Sequence, residues 1–542
     1  MPSSFDSRSS FVSPISFEKH SSLENVLRAN YLGVMLAAFL VAGPFAMSVC
    51  AQDSKPAEKP AEAPASPPKE ESSVTDHTIK IGSQTIPYKA TASTILLKNE
   101  KDEPTALMYS TAYTRSDVKD MSQRPIAFLY NGGPGSASIW LHMGSMGPRR
   151  VVTVNAGVTP PAPFKLMDNP DCLLDKSDLV FIDPVGTGFS HAVGKAQDKE
   201  FWGVDPDVKS LAQFIATYIS RNNRWNSPKF LIGESYGTFR NAALANYLQS
   251  HDNMYLNGIV MVSSVLDLGN ISFYPGQDLA YVLYLPSYAA TAWFHKTLQD
   301  RPENLNAFLD EARKFARGEY ADALMKGDAL GKAEKAEIVK KVARFTGLSE
   351  DYLDKANLRV RLFQFMQEIQ RNRGLTTGRY DARFVGPTYN LIGEAADYDP
   401  QDTAISGAFV GAFNTYIREE LKFGQDKSYK PAADFGPNRW DWKHDGSDFG
   451  FFPGAPSVVL DLVQAMITNP RLKVEFEEGI YDLATPFMEV EYTADHMGLP
   501  ENIRKNVVQQ YYEAGHMMYV HDEDLAKLKK NVANFIDTAS KQ

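Results

Sequence analysis

The stretch KFLIGESYGTF, residues 229–239, gives the strongest indication of both the fold and the position of a reactive group. A short apolar run at 229–232 leads through GESYG (233–237) into a helical pattern at 239–250. A G-x-S-x-G sequence between a strand and a helix is typical of a sharp turn that lifts a serine hydroxyl to the carboxyl end of a parallel sheet. The glycines are needed because side chains would clash in so tight a turn. The stretch therefore predicts Ser235 as a nucleophile.

Further apolar runs with strand character lie on both sides of this turn. They are PIAFLY (125–130), LVFID (179–183) and IVMVS (259–263), and an amphipathic helical pattern occupies 208–222. Strands that alternate with helices predict a mostly parallel sheet with helices on both faces. We assign this first part of an α/β core to residues 77–270.

The region 271–454 has a different pattern. Its clearest helix, AEKAEIVKKVARF at 333–345, places apolar residues on one face and stops at Gly347, and Ser349 is then the N-cap of another helix. The pattern predicts a mainly helical insertion with a loop-rich end, after which the second part of the core occupies 455–542.

A serine hydroxyl is a weak nucleophile without a histidine base that is oriented by a carboxylate. Asp482 follows a predicted strand at 472–479, and His516 follows the last predicted strand at 506–515. Loops that follow parallel strands meet at one edge of the sheet, so Ser235, Asp482 and His516 are the predicted catalytic triad. The alternatives for the base are His496 and His521.

Cleavage of an acyl group also requires two backbone N–H donors for the developing oxyanion. One donor is the N–H of Tyr236, directly after the nucleophile. The other is expected from the glycine-rich loop NGGPG (131–135), which follows the strand at 125–130. This loop matches neither a G-x-x-x-x-G-K-[ST] nor a G-x-G-x-x-G pattern, so nucleotide binding is excluded.

Together these motifs resemble those of the serine carboxypeptidase family. The matching stretches are NGGPGS (131–136), FIDPVGTGFS (181–190), GESYG (233–237), GIYDLATP (479–486) and GHM (515–517). The resemblance implies an α/β-hydrolase fold with a helical cap inserted before the Asp strand, and hydrolysis of C-terminal peptide bonds through an acyl-enzyme.

The resemblance also assigns roles to residues around the turn. It implies that Gly133 and Tyr236 are the oxyanion donors, and that Asn131, Gly132 and Glu234 bind the carboxylate of a peptide with a free C-terminus. A glutamate that faces a carboxylate must be protonated to donate a hydrogen bond, so tighter binding is expected at acid pH.

Three positions depart from the family pattern. Ser136 stands where the family usually has Cys, Leu129 where it usually has Trp, and Ser145 where it often has a second Glu. Carboxylate recognition then depends on fewer groups, which keeps an esterase or acyltransferase on the same scaffold as the alternative. A non-catalytic extracellular binding protein is a third hypothesis.

Composition excludes several other classes of protein. The 542 residues carry a formal net charge of −10 and only two cysteines. The acidic balance argues against nucleic-acid binding, and the cysteine count excludes zinc sites built on several cysteines. We expect neither a metal nor a cofactor.

The N-terminus reads as a targeting segment. Residues 31–49 are apolar and carry no charge, which is typical of a signal-peptide core, and we assign 1–51 to a signal peptide or a membrane anchor. The Pro-, Ala-, Glu- and Lys-rich stretch at 52–76 is expected to be a flexible linker. The catalytic part is therefore predicted to be periplasmic or secreted, or membrane-anchored outside the cytoplasm if the segment stays uncleaved.

Overall fold

The computed structural model describes residues 68–436, 439–445 and 455–541. The predicted signal peptide or anchor at 1–51 and residues 52–67 of the predicted linker lie outside these ranges. The first strand begins at Ser72, inside the stretch that composition assigned to the linker. It forms because residues from Ser72 onward pair with the next strand and their side chains alternate between the two faces, with Ile79 and Ile81 buried.

The regular elements alternate along much of the chain. The strands are β1 (Ser72–Ile81), β2 (Gln84–Lys98), β3 (Pro104–Arg115), β4 (Ile126–Tyr130), β5 (Arg149–Val151), β6 (Leu166–Asp168), β7 (Asp178–Ile182), β8 (His191–Ala192), β9 (Lys229–Glu234), β10 (Gly258–Val262), β11 (Leu375–Thr377), β12 (Val385–Pro387), β13 (Lys473–Gly479) and β14 (Val507–Tyr512). The α-helices are α1 (Ile139–Leu141), α2 (Val204–Arg221), α3 (Tyr236–His251), α4 (Leu279–Phe294), α5 (Leu305–Phe315), α6 (Ala321–Lys326), α7 (Lys332–Thr346), α8 (Glu350–Lys355), α9 (Leu362–Glu368), α10 (Pro400–Glu419), α11 (Val459–Thr468), α12 (Phe487–His496), α13 (Glu501–Arg504) and α14 (Asp522–Ser540). None of the described helices is both long and apolar enough to cross a membrane.

The main sheet of the described residues has the order β1-β2-β3-β7-β4-β9-β10-β13-β14, and β8 pairs with β3. β7, β4, β9, β10, β13 and β14 run parallel to one another, whereas the pairs β1–β2, β2–β3 and β3–β7 are antiparallel. β9 lies between β4 and β10, so the turn that follows it sits centrally at the carboxyl end of the parallel strands.

Both faces of the sheet are covered, as β4 illustrates. Its residues Ala127 and Leu129 pack into a core that includes side chains of α10 and α14. Ile126, Phe128 and Tyr130, on the opposite face, pack into a second core with α2, α3 and α11. Alternate residues of one strand thus enter two cores, which explains why its sequence is apolar without alternation. The predicted α/β-hydrolase fold class is confirmed.

Helices between β10 and β13 form a third apolar cluster, which contains side chains of α4, α5, α7 and α9. The helix expected at 333–345 is α7, and it ends at Gly347 in the left-handed conformation, with φ of 68°. Ser349 caps α8 by accepting a hydrogen bond from the N–H of Tyr352. α10, however, contributes to the first core: Ile405 and Phe409 belong to it, Phe409 packs against Trp140, and Tyr416 hydrogen-bonds to Tyr113 of β3. The boundaries 77–270, 271–454 and 455–542 stay a prediction.

Candidate active site

The turn after β9 has the strained geometry that the motif predicts. Ser235 lies between β9 and α3 with φ of 59° and ψ of −130°, a conformation that is costly for a residue with a side chain. A Cβ on Gly233 would lie 2.2 Å from the carbonyl oxygen of Gly237, so no larger residue fits there. The N–H of Ser235 donates to the carbonyl of Val262 on β10, which holds the turn against the sheet.

The structure brings His516 and Asp482 together in the loops after β14 and β13. His516 Nδ1 lies 2.7 Å from Asp482 Oδ2. A carboxylate oxygen accepts, so Nδ1 carries the proton and Nε2 is the acceptor that can face Ser235. Asp482 is fully buried, and its other oxygen accepts from the N–H groups of Ala484 and Thr485.

The histidine itself is held by its backbone. Its N–H donates to the carbonyl of Tyr380, at 2.6 Å, and its carbonyl accepts from the hydroxyl of Ser263. Burial is the largest single influence and lowers the pKa of His516, but the charge and hydrogen bond of Asp482, together with the charge of Glu234, raise it, and the net shift is upward. An imidazole with a raised pKa is a stronger base for the serine proton.

Two backbone donors for an oxyanion lie next to Ser235. A Cβ on Gly132 would lie 2.4 Å from the backbone nitrogen of Tyr236, so the glycine-rich loop approaches the turn closely. Within the described part of the chain, the N–H groups of Gly133 and Tyr236 donate to no acceptor. Both are therefore available to a bound ligand.

One cavity of about 280 Å³ contains most of the predicted site. Residues that line it include Asn131, Gly132, Gly133, Glu234, Ser235 and His516. Asp482 lies behind His516, outside the lining. The Tyr236 ring also points away, since it stacks on Phe239 and packs against Trp440. Ser235 Oγ has no hydrogen-bond partner among the described residues, as is common for catalytic contacts before a substrate binds.

Glu234 is a buried acid in this cavity. Only 4% of it is exposed, and Tyr519 donates its hydroxyl proton to Oε2 at 2.6 Å. Burial raises the pKa of Glu234 to about 7, although the nearby His516 and the Tyr519 hydroxyl pull it down. Asn131 Nδ2, also buried at the cavity, lies close enough to Glu234 to lower its pKa but forms no hydrogen bond of normal geometry with any described residue. Both groups can therefore donate to an acceptor in the cavity.

Sequence reasoning missed part of the cavity wall. Arg379, Tyr380 and Gln401 line it from the loop before β12 and from the first turn of α10. The GRYDARF motif at 378–384 marked a loop with two arginines, but its place in the fold was not readable from local pattern. No sequence motif or pattern around Gln401 indicated that it lines the cavity.

The alternative histidines lie elsewhere. His496 is exposed and stacks on Tyr492, and His521 pairs with Asp524 at 2.7 Å. Neither lines the cavity. Of the departures from the family pattern, Ser136 lines the cavity and accepts from Trp140, whereas Ser145 is buried away from it and donates to a backbone carbonyl.

Comparisons with known proteins agree with these motifs. The model of the serine carboxypeptidase family matches residues 88–344. The pheromone-processing carboxypeptidase KEX1 of Saccharomyces cerevisiae is 28% identical over 193 residues, which are 34% of this chain and 25% of that protein. Serine carboxypeptidase-like 22 of Arabidopsis thaliana is 25% identical over 195 residues, which are 35% of this chain and 38% of that protein. The chain thus spans between a quarter and two fifths of the length of these relatives.

Among solved structures, a prohormone-processing carboxypeptidase from Saccharomyces cerevisiae, Kex1(Δ)p, has a TM-score of 0.53 at 17% identity. The alignment covers 83% of this chain and 91% of the yeast one, and it supports the same fold. Over residues 88–344 the chain therefore matches the serine carboxypeptidase family, which confirms the resemblance predicted from its motifs.

Proposed function

We propose that the protein is a serine carboxypeptidase that hydrolyses the C-terminal peptide bond of peptides. The observation that carries the proposal is one cavity that contains both Ser235 with His516 and the buried acid Glu234. The first pair supplies a nucleophile and a base, and the acid supplies a donor for a terminal carboxylate. A C-terminal residue held by Glu234 would present its peptide bond to the adjacent Ser235.

The proposed reaction uses the groups in the order that their positions allow. Ser235 Oγ attacks the peptide carbonyl while His516 Nε2 takes its proton, and Asp482 keeps the imidazole in the correct tautomer. The N–H groups of Gly133 and Tyr236 hold the oxyanion. His516 then gives the proton to the leaving amine, and water hydrolyses the acyl-enzyme by the reverse sequence.

Recognition of the C-terminus should depend on pH. A carboxylate is bound by Glu234 only when Glu234 is protonated, and its pKa of about 7 keeps it so in acid. Above that pH two carboxylates would repel each other. His516 must instead be neutral to act as a base, so activity should fall at low pH as well. The two requirements together give a bell-shaped profile whose upper limb belongs to Glu234.

The proposal includes location and partners. An enzyme of this kind would act on peptides with a free C-terminus outside the cytoplasm, in the periplasm or the medium. Association with a membrane would require the N-terminal segment to stay uncleaved. We propose no nucleic-acid partner, no metal and no cofactor for this reaction.

The test uses one acylated peptide with either a free or an amidated C-terminus. We expect kcat/KM to favour the free acid by at least about tenfold at pH 5, the scale of one charge-assisted hydrogen bond. This preference should shrink as the pH rises through about 7. Glu234→Gln, which stays neutral and keeps a donor, should lose the pH dependence of the preference. Ser235→Ala is the control for contaminating peptidases, and equal rates on both peptides would overturn the proposal.

An esterase or acyltransferase remains the second candidate because of Ser145. Its hydroxyl is buried outside the cavity lining and donates to the carbonyl of Leu141, so this position supplies no second acid beside Glu234. This candidate would gain support if the protein cleaved small esters through Ser235 and left both peptides intact.

A further inference from the structure

The cavity is lined by a cation that has no ionic partner in the part of the chain that the structure describes. Arg379 lines the cavity, and among the described residues no carboxylate lies within 4.0 Å of its guanidinium. Its Nε is buried without any acceptor in the same part of the chain. A guanidinium presents its donors in a planar fork that matches a carboxylate, so this one is free to take such a group from a ligand.

A second polar group that lines the same cavity also lacks partners. Gln401, on the first turn of α10, is fully buried, and neither Oε1 nor Nε2 has a hydrogen-bond partner among the described residues. Buried amides nearly always have partners, because an unpaired one costs free energy of desolvation. Since Gln401 lines the cavity, a ligand there is the partner that would satisfy it.

Arg379 is held in place through a hydrogen bond of its backbone N–H. Asp399 Oδ2 accepts from the N–H of Arg379, at 2.5 Å, and from that of Tyr380. The guanidinium lies 4.9 Å from the Tyr380 ring centre, and the Tyr380 carbonyl accepts from the N–H of His516. The loop that carries the cation thus also holds the catalytic histidine, so a group bound by Arg379 lies near the reacting atoms.

Other charged groups surround this cation without pairing with it. Asp399 uses its oxygens on backbone N–H groups. Asp402 is exposed, and its Oδ1 accepts from the hydroxyl of Ser406. Glu234 and His516 line the same cavity, and neither forms a salt bridge with Arg379. Arg379 is therefore the one side chain of the described cavity wall that is positively charged at every ordinary pH.

We propose that Arg379, with Gln401 beside it, is a specificity-determining group that binds a carboxylate on the C-terminal residue of the substrate. This inference rests on the proposed function, which places that residue in the cavity. The carboxylate has two sources, the chain terminus itself or an acidic side chain. Arg379 acts where Glu234 cannot, because Glu234 loses its donor proton above about pH 7 and Arg379 keeps its charge.

The first experiment measures binding without turnover. Full-length Ser235→Ala protein is titrated calorimetrically at pH 8 with four acylated peptides that end in Glu or Gln, each as the free acid or the amide. Adding Arg379→Gln should weaken binding by about 10- to 100-fold for peptides that carry the recognised carboxylate, and should leave the Gln amide unchanged. A loss that follows the Glu side chain identifies the side chain as the source, and a loss that follows the free acid identifies the terminus.

Matched variants separate recognition from folding. Arg373→Gln changes an exposed arginine nearby that does not line the cavity, and it should bind all four peptides as the parent does. Arg379→Lys keeps the charge but loses the fork, so its affinities should lie between those of the parent and Arg379→Gln. Equal weakening of all four peptides, or no weakening of any, would overturn the proposal.

A second experiment does not depend on peptide hydrolysis. N-acetylglutamate should slow the labelling of Ser235 by a fluorophosphonate in the otherwise unchanged protein, and Arg379→Gln should remove most of this protection. If no peptide binds but protection is present and depends on Arg379, the proposed function fails while carboxylate recognition stands. Protection that is absent, or equal in both proteins, would overturn the role of Arg379.

Discussion

At the scale of single residues, Asp482 has its acceptor capacity filled. One oxygen accepts from two backbone N–H groups, and the other from the Thr485 hydroxyl, at 2.6 Å, and from His516. A carboxylate so held cannot turn, and it fixes which nitrogen of His516 is protonated. Its effect on the reaction therefore passes through the orientation and tautomer of the imidazole.

Asp482→Asn should test this role directly. An amide that donates to His516 Nδ1 would force the proton onto Nε2, where the base is needed, so kcat should fall by roughly 10⁴-fold. KM should change little because Asp482 does not line the cavity. Steady-state kinetics on the free-acid peptide and the rate of fluorophosphonate labelling measure the loss. Thr485→Val, which removes one bond to the carboxylate, is the milder control, and a loss below tenfold in Asp482→Asn would contradict the assignment.

At the scale of elements, Asp399 joins the loop at 378–384 to the start of α10. Oδ1 accepts from the N–H of Asp402 as an N-cap, and Oδ2 accepts from the N–H groups of Arg379 and Tyr380. Burial raises the pKa of Asp399, although these backbone bonds and Arg379 oppose the shift. One side chain therefore orders two parts of the cavity wall.

Asp399→Ala should loosen both parts at once. The lost cap and the unpaired N–H groups should lower the free energy of unfolding by about 1–3 kcal/mol, measured by urea denaturation. KM for the free-acid peptide should rise, because Tyr380 and Arg379 would be held less firmly. Asp399→Asn keeps one acceptor oxygen and should lie between the two proteins. If Asp399→Ala is destabilised but its KM is unchanged, the hydrogen bonds of Asp399 contribute to stability and do not position Arg379 and Tyr380 for substrate binding.

These elements also show which parts of the site can be predicted from the sequence and which cannot. Ser235, Asp482 and His516 each follow a strand whose apolar run is visible locally, so parallel topology places them at one edge. Arg379 and Gln401 come from a loop and a helix inside the insertion. Arg379 and Gln401 line the same cavity because α10 packs into the core, and that long-range packing leaves no periodic pattern in the local sequence. The prediction that residues 72–76 belong to the linker was wrong for a related reason. Their polar composition is typical of a linker, but they form a strand because they pair with β2.

At the scale of the whole molecule, several glutamates on β13 and α12 are buried without cationic partners among the described residues. Glu475, Glu477 and Glu478 lie on β13, Glu489 lies on α12, and each has one carboxyl oxygen without a hydrogen-bond partner in the described ranges. Burial raises the pKa of Glu475 and of Glu489 to about 7, and it also raises those of Glu477 and Glu478 well above the usual value of 4.5. Such groups are stable in the core only when protonated.

The sign of their effect on stability follows from linkage. A carboxyl whose pKa is higher in the folded state than the unfolded value of 4.5 binds its proton more tightly when folded. Its contribution to stability is therefore complete below about pH 4.5 and is lost as the pH rises through about 7. The contribution of these four glutamates to the free energy of unfolding should be larger in acid than at neutral pH, opposite to the contribution of a salt-bridged carboxylate.

Glu489→Gln isolates one of these groups. Glu489 is fully buried, and Oε1 accepts from Thr493 and Asn270, bonds that a neutral amide oxygen can keep. The difference in unfolding free energy between pH 4.5 and pH 8, from urea denaturation, should shrink in the variant by on the order of 3 kcal/mol, the value of a pKa shift from 4.5 to about 7. Curves that run parallel in the two proteins would show that Glu489 does not titrate in this range. A smaller pH dependence in the variant would show that Glu489 keeps its proton in the folded protein at acid pH and loses it near pH 7.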